Sequence, residues 1–100
     1  MFLFPTKRDP WGVVANEALA AGVPVVVTPE AGAAGDLVVD GFNGYVIPPL
    51  VDDWASRSTQ LLDDRDRYAA FSANAVQSVK AFNCERAAKG ILDAIAFCQR

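Results

Sequence analysis

The sequence contains no histidine among its 100 residues. Histidine is the side chain that most often acts as a general base near neutral pH and as a metal ligand. Its absence excludes catalysis or metal binding through an imidazole on this chain. Carboxylates, hydroxyls and backbone groups remain for any acid–base or ligand-binding role.

Cysteine is scarce, because the chain has only Cys84 and Cys98. Both fall in one predicted helix, where a separation of fourteen residues corresponds to roughly 21 Å along the axis. A disulfide requires Cα atoms within about 7 Å, so the two cannot bridge each other there. No Cys-x-x-Cys pair is present, and we expect no zinc site and no other metal.

Positive charge and long apolar runs are also lacking. Nine basic residues are scattered among twelve acidic ones, and the net charge is −3, which argues against a nucleic-acid partner. No apolar run approaches the roughly 20 residues of a transmembrane helix. Residues 1–5 are too short, and carry no charged segment, for a signal peptide. We therefore expect a cytoplasmic protein without a transmembrane segment.

The first half of the chain is predicted to contain three strands, with a helix between the first strand and the second. Residues 2–5 form a short apolar run that predicts a buried strand. Residues 13–21 are rich in alanine and leucine and stop at Gly22, which indicates a helix. The β-branched run at residues 24–28 predicts a strand covered on both faces, and residues 44–47 predict a third strand.

The second half has helical periodicity, and Asn83 is a predicted N-cap of the last helix. We interpret the apolar stripes of these helices as core-facing surfaces. Their members are Trp54, Ser58, Leu61 and Leu62, then Tyr68, Phe71, Ala75, Val79 and Phe82, and finally Ala88, Ile91, Leu92, Ile95 and Cys98.

This order of elements predicts an α/β fold, a three-layer arrangement with about three parallel strands followed by C-terminal helices. Three strands are few for such a sheet, and no helix precedes the first strand to cover it. Residues 1–100 are thus expected to be a single partial domain. One sheet edge should be bare or paired with another chain, which favours self-association into a homo-oligomer.

The chemistry is expected beyond the carboxyl ends of the strands, where open α/β sheets bind ligands. The loop at residues 6–12 leaves the first strand there and opens the first helix. Backbone N–H groups near Gly12 and Val13 would attract a phosphate. Asp9 and Glu17 flank this helix start, and carboxylates suit sugar hydroxyls as acceptors. Alternatively, Asp9 is only a helix-start charge and Glu17 only a solvated surface residue.

Four segments of the chain occur in a characteristic order. They are FPTKRDPWGVVANEALAAGVPVV at residues 4–26, EAGAAGDLV at 30–38, DGFNGYVIPP at 40–49 and NCERAA at 83–88. Together they resemble the retaining GT-B glycosyltransferases of family 4, the group 1 glycosyl transferase domain. The first resembles the E-x7-E signature of that family, the second its glycine-rich loop, the third its D-G-x-N-G segment and the fourth the start of its last helix.

The resemblance implies roles for the loop and the helix start. Asp9 matches the first acid, a catalytic-site residue that contacts the transferred sugar. Glu17 matches the second acid, which holds the ribose hydroxyls of the nucleotide. The backbone at Trp11, Gly12 and Val13 matches the loop that meets the sugar and the diphosphate. The implied reaction transfers a sugar from a nucleoside diphosphate sugar with retained configuration and without a metal.

The chain also departs from the family pattern. Asp9 replaces the commoner glutamate, and Lys7 and Arg8 do not occupy the positions of the family's diphosphate-neutralising pair. That pair and the acceptor-binding N-terminal domain are expected upstream of residue 1. We therefore expect residues 1–100 to be the donor-binding portion of a glycosyltransferase, inactive alone. The alternatives are a non-catalytic module that acts through self-association and a different α/β ligand binder, such as a flavodoxin-like domain.

Overall fold

The computed structural model describes all 100 residues and contains three strands and four helices. The strands are β1 (Phe2–Phe4), β2 (Val25–Val27) and β3 (Gly44–Val46), and the helices are α1 (Val13–Ala20), α2 (Val51–Asp63), α3 (Arg65–Val79) and α4 (Cys84–Cys98). Every predicted strand is present, but each is three residues long and so shorter than predicted.

The three strands form one parallel sheet in the order β1-β2-β3. Val25 pairs with Phe2 on one side and with Gly44 on the other. Strand β2 is fully buried, as its continuous β-branched sequence predicts. The predicted α/β fold with three parallel strands is thus confirmed.

Two apolar clusters lie on opposite faces of the sheet, because successive side chains of a strand point to opposite sides. Val25 and Val27 join the first cluster with Ala15 and Leu19 of α1 and with Ala75 of α3. Val26 joins the second, whose other buried members are Tyr45, Ile47, Leu61 and Phe71. The sheet is therefore the middle of three layers, and α3 contributes to both cores.

Strand β1 lies at the edge of the sheet and is only partly covered. Phe2 and Phe4 are half-buried against the first core, whereas Leu3 is 48% exposed. Leu3 points to the opposite face, where it borders an open apolar groove with Trp54 of α2. The prediction of a buried strand is therefore wrong for Leu3, because α2 does not close over this edge. The prediction of an uncovered edge agrees with this geometry.

Helix α4 departs most from the sequence interpretation. It has no buried residue, and Leu92 in its apolar stripe is 65% exposed. The prediction that this stripe faces the core of the chain is wrong, because no element of these 100 residues packs over it. Its start is as predicted, since the Asn83 Oδ1 accepts a hydrogen bond from the Arg86 N–H at 2.8 Å.

None of the four helices has the length and apolar character needed to cross a membrane. The cytoplasmic setting expected from the sequence stays a prediction.

Candidate functional site

The loop at residues 6–12 follows β1 at the carboxyl edge of the sheet and is tied to the end of β2. Thr28 comes directly after β2, is buried, and donates a hydrogen bond from its hydroxyl to the Thr6 carbonyl. This bond joins the carboxyl ends of neighbouring parallel strands, where ligands of α/β sheets bind. The loop therefore leaves the sheet in a defined direction toward α1.

The glycine-rich loop after β2 runs beside this first loop. The Gly32 N–H donates to the Asp9 carbonyl at 2.9 Å, and the Ala33 N–H donates to the Trp11 carbonyl at 2.7 Å. A Cβ on Gly32 would lie 1.8 Å from the Pro10 carbonyl oxygen. Only glycine permits this approach, so Gly32 allows the glycine-rich loop to pack directly against the loop at residues 6–12.

Asp9 is half-buried, and its carboxylate organises its own loop. The Oδ1 atom accepts a hydrogen bond from the Trp11 N–H at 3.0 Å. The Oδ2 atom has no hydrogen-bond or ion-pair partner in the chain. Asp9 thus combines a structural bond within the loop with one oxygen that is free to accept from a ligand.

The start of α1 carries unpaired donors. Gly12 precedes the helix with a φ of 100°, a left-handed conformation that favours glycine, and supplies no side-chain cap. The N–H groups of Gly12, Val13 and Val14 donate to no acceptor in the chain. Such groups, together with the helix dipole, form an anion-binding element. Phe4 lies against Gly12, because a Cβ there would meet its ring at 3.0 Å.

The predicted site residues lie on two sides of this helix start. Asp9, Trp11, Gly12 and Val13 line one hollow of about 500 Å³. Glu17 is exposed and lines a neighbouring groove of about 820 Å³ between α1 and the beginning of α4. Trp11 and Val13 border both spaces. Four of the five predicted site residues thus line one hollow. Glu17 lies in the neighbouring groove, on the other side of the wall that Trp11 and Val13 form.

Two further groups at this site were not expected from the sequence. Phe82 packs on Trp11 with ring centroids 5.3 Å apart, and Arg86 lines the same groove as Glu17. Helical periodicity places Phe82 in a core-facing stripe, and nothing in the spacing of Arg86 links it to α1. The sequence therefore carries no signal for Phe82 or Arg86. The position of Thr28 at the end of a predicted strand is a signal, but for the anchoring of the loop at residues 6–12.

Asn43 of the D-G-x-N-G segment has a structural role. Asn43 is fully buried, and its Oδ1 accepts from the Val39 N–H at 2.8 Å. Its Nδ2 donates to the Leu37 carbonyl and to the Ser78 hydroxyl, both at 2.8 Å. Asn43 therefore joins the turn before β3 to α3, and both its amide oxygen and its amide nitrogen are hydrogen-bonded inside the protein.

Comparison with known families identifies the class of protein. Residues 1–78 match the family described as glycosyl transferases group 1. The match spans most of the chain, including the sheet, the loop at residues 6–12 and helix α1. The chain belongs to this family, as the resemblance of its sequence segments implies.

Among individual relatives, the chain is 32% identical over 90 residues to a D-inositol 3-phosphate glycosyltransferase of Rhodococcus jostii. It is 35% identical over 95 residues to the lipopolysaccharide core biosynthesis mannosyltransferase LpsB of Rhizobium meliloti. These alignments cover 89% and 91% of this chain but 20% and 27% of the relatives. The chain therefore spans about a quarter or less of their length.

Solved structures show the same architecture. The sucrose-phosphate synthase of Thermosynechococcus elongatus superposes with a TM-score of 0.81 at 27% identity, over 98% of this chain and 25% of that one. The C-terminal domain of the glycosyl transferase group 1 family protein LpcC from Francisella tularensis gives a TM-score of 0.68 at 26% identity, over 79% and 42%. The fold is that of the C-terminal part of a GT-B glycosyltransferase.

Proposed function

We propose that residues 1–100 form the C-terminal half of the donor-binding domain of a retaining glycosyltransferase, which takes its sugar from a nucleoside diphosphate sugar. The observation that carries this proposal is the uncapped start of α1. Its unpaired N–H groups at Gly12, Val13 and Val14 lie between the carboxylates of Asp9 and Glu17.

Each group has a chemical task in this proposal. The N–H groups and the dipole of α1 attract the negatively charged diphosphate. Asp9 accepts a hydrogen bond from a hydroxyl of the transferred sugar through its free Oδ2, which makes it the catalytic-site acid. Glu17 accepts from the ribose hydroxyls on the groove side of the helix start. Trp11 and Val13 form the wall between the two carboxylates, and Gly12 lies on its Asp9 side, where the backbone of these three residues meets the sugar and the diphosphate.

We propose further that these residues do not transfer a sugar by themselves. Lys7 and Arg8 are exposed and lie on the loop rather than over the helix start, and neither lines the hollow or the groove. The charge of a leaving diphosphate must be stabilised by positioned cations or donors. In this proposal the remaining cations and the acceptor site come from an N-terminal domain, and no metal takes part.

Amide NMR tests donor binding directly. Titration of the chain with UDP, GDP and ADP should shift resonances of residues 9–17 more than any other segment. Glu17→Gln should weaken binding because it removes a charged acceptor, whereas Glu85→Gln should not, because this exposed glutamate of α4 lines neither the groove nor the hollow. Shifts confined to the C-terminal helices, or equal effects of the two substitutions, would contradict the proposal.

A second candidate function is a non-catalytic module that acts through self-association. The observation that favours it is the edge of β1, where Leu3 is half exposed beside an apolar groove of about 520 Å³. An uncovered strand edge can pair with the same edge of a second copy. Light scattering at increasing concentration should then report dimers, and Leu3→Lys should abolish them. A monomer at all concentrations rules this candidate out.

A further inference from the structure

Phe82 lies in the turn between α3 and α4 and packs its ring on the indole of Trp11. The ring centroids are 5.3 Å apart and the ring planes are tilted by 35°, within the roughly 4.5–7 Å separation of favourable aromatic pairs. Phe82 is 38% exposed and Trp11 is half-buried. The pair therefore lies at the surface, on the wall of the groove that also contains Glu17.

The backbone of Trp11 is held independently of Phe82. Its N–H donates to the Asp9 carboxylate at 3.0 Å, and its carbonyl accepts from the Ala33 N–H at 2.7 Å. These bonds fix the course of the loop but leave the rotation of the indole about its side-chain bonds undetermined. Part of the indole packs against the first core, and the Phe82 ring covers it from the side of α4.

The same contact joins the beginning of α4 to the loop. No hydrogen bond or ion pair links α4 to the sheet or to the other helices. Its polar contacts lie within the helix or join it to the residues directly before and after it. The groove between α1 and α4 therefore owes its shape at this end to the packing of Phe82 on Trp11. Displacement of either ring would change the wall shared by Asp9 and Glu17.

We propose that Phe82 is a positioning residue, which fixes the indole of Trp11 and so pre-organises the wall of the groove for the donor. This inference rests on the donor site proposed above. A wall that is ordered before binding does not lose side-chain freedom on binding, and affinity is higher for that reason. Without the Phe82 ring, the donor would have to order the indole itself.

The test compares three variants of the 100-residue chain by NMR. Phe82→Leu removes the aromatic contact, Phe82→Tyr retains it, and Phe97→Leu is the matched control, since Phe97 is exposed near the end of α4. Without ligand, Phe82→Leu should shift the indole N–H resonance of Trp11, because the Phe82 ring no longer packs on the indole. With UDP, it should raise the Kd about 2- to 10-fold, while the other two variants stay within about 2-fold of the parent chain.

The two readouts separate this inference from the proposed function. If the parent chain binds none of UDP, GDP and ADP, the proposed donor site fails, and the ligand-free indole resonance of Trp11 still decides whether Phe82 fixes the indole. If the parent chain binds but Phe82→Leu leaves the Kd and the Trp11 resonance unchanged, the positioning role is overturned. Failure of Phe82→Tyr to restore both readouts would overturn it as well.

Discussion

Helices α3 and α4 are closely matched along the chain but differ in what covers them. Each has 15 residues and begins at a side-chain cap, Asp64 for α3 and Asn83 for α4. Helix α3 buries Phe71 and Ala75, whereas α4 buries nothing. An apolar stripe thus predicts that one face of a helix favours burial, but only the tertiary structure shows whether another element packs against that face.

The largest expected difference between the two helices lies in their apolar side chains. Phe71→Ala should lower the free energy of unfolding by about 3–5 kcal/mol, because Phe71 is buried in the second core. Leu92→Ala should change it by less than about 0.5 kcal/mol, because Leu92 is exposed. Chemical denaturation measures both values. Similar losses of free energy for the two variants would show that Leu92 is buried in solution, which would contradict the difference between α3 and α4.

A smaller effect is expected from the bond that ties α3 to the turn before β3. Asn43→Ala should destabilise the chain by about 1–3 kcal/mol, because it removes three bonds of a fully buried amide and leaves the buried Leu37 carbonyl without this partner. Asn74→Ala is the control, since Asn74 makes a single exposed bond to the Phe42 carbonyl. Thermal unfolding should rank Asn43→Ala well below the control in Tm, and an equal Tm would refute the anchoring role.

The smallest effect concerns the two caps. Asp64→Ala removes the bond from the Arg67 N–H at 3.0 Å and should lower the free energy of global unfolding by about 1 kcal/mol. Asn83→Ala removes the equivalent bond in α4 and should cost a similar amount locally. It should speed hydrogen exchange in α4 while leaving the denaturation midpoint unchanged. A shifted midpoint for Asn83→Ala would mean that α4 unfolds together with the sheet.

Much of the fold was predictable because local signals agreed with one another. The β-branched run at residues 24–28 predicts the central strand, and Gly22 predicts the end of α1 near its observed last residue, Ala20. The bond of Asn83 to the Arg86 N–H also follows from helix-cap chemistry. That Leu3, and not Phe2 or Phe4, is the exposed residue of β1 was not predictable, because a run of apolar residues carries no information about which face the neighbouring helix covers.

In the candidate site, too, some features could be predicted from the sequence and others could not. The loop, the helix start and the two carboxylates could be located from the spacing between Asp9 and Glu17 and the family resemblance of the surrounding segments. The contact of Phe82 with Trp11 could not, because it joins residues 71 positions apart through the packing of the α3–α4 turn. The seating of Gly32 on Pro10 likewise depends on two loops that only the fold brings together.

The amino-acid sequence by itself determined the class of the protein, the parallel sheet and the uncapped helix start, because hydrophobic periodicity, glycine placement and linked family segments are local properties. The tertiary structure decided which apolar faces are covered and how the carboxylates are arranged. It seats Asp9 in a hollow with one free oxygen, puts Glu17 across the wall formed by Trp11 and Val13, and leaves α4 uncovered. The groove beside Glu17 and the exposure of α4 depend on how segments far apart in the chain pack together, and the sequence near Asp9 and Glu17 carries no information about that packing.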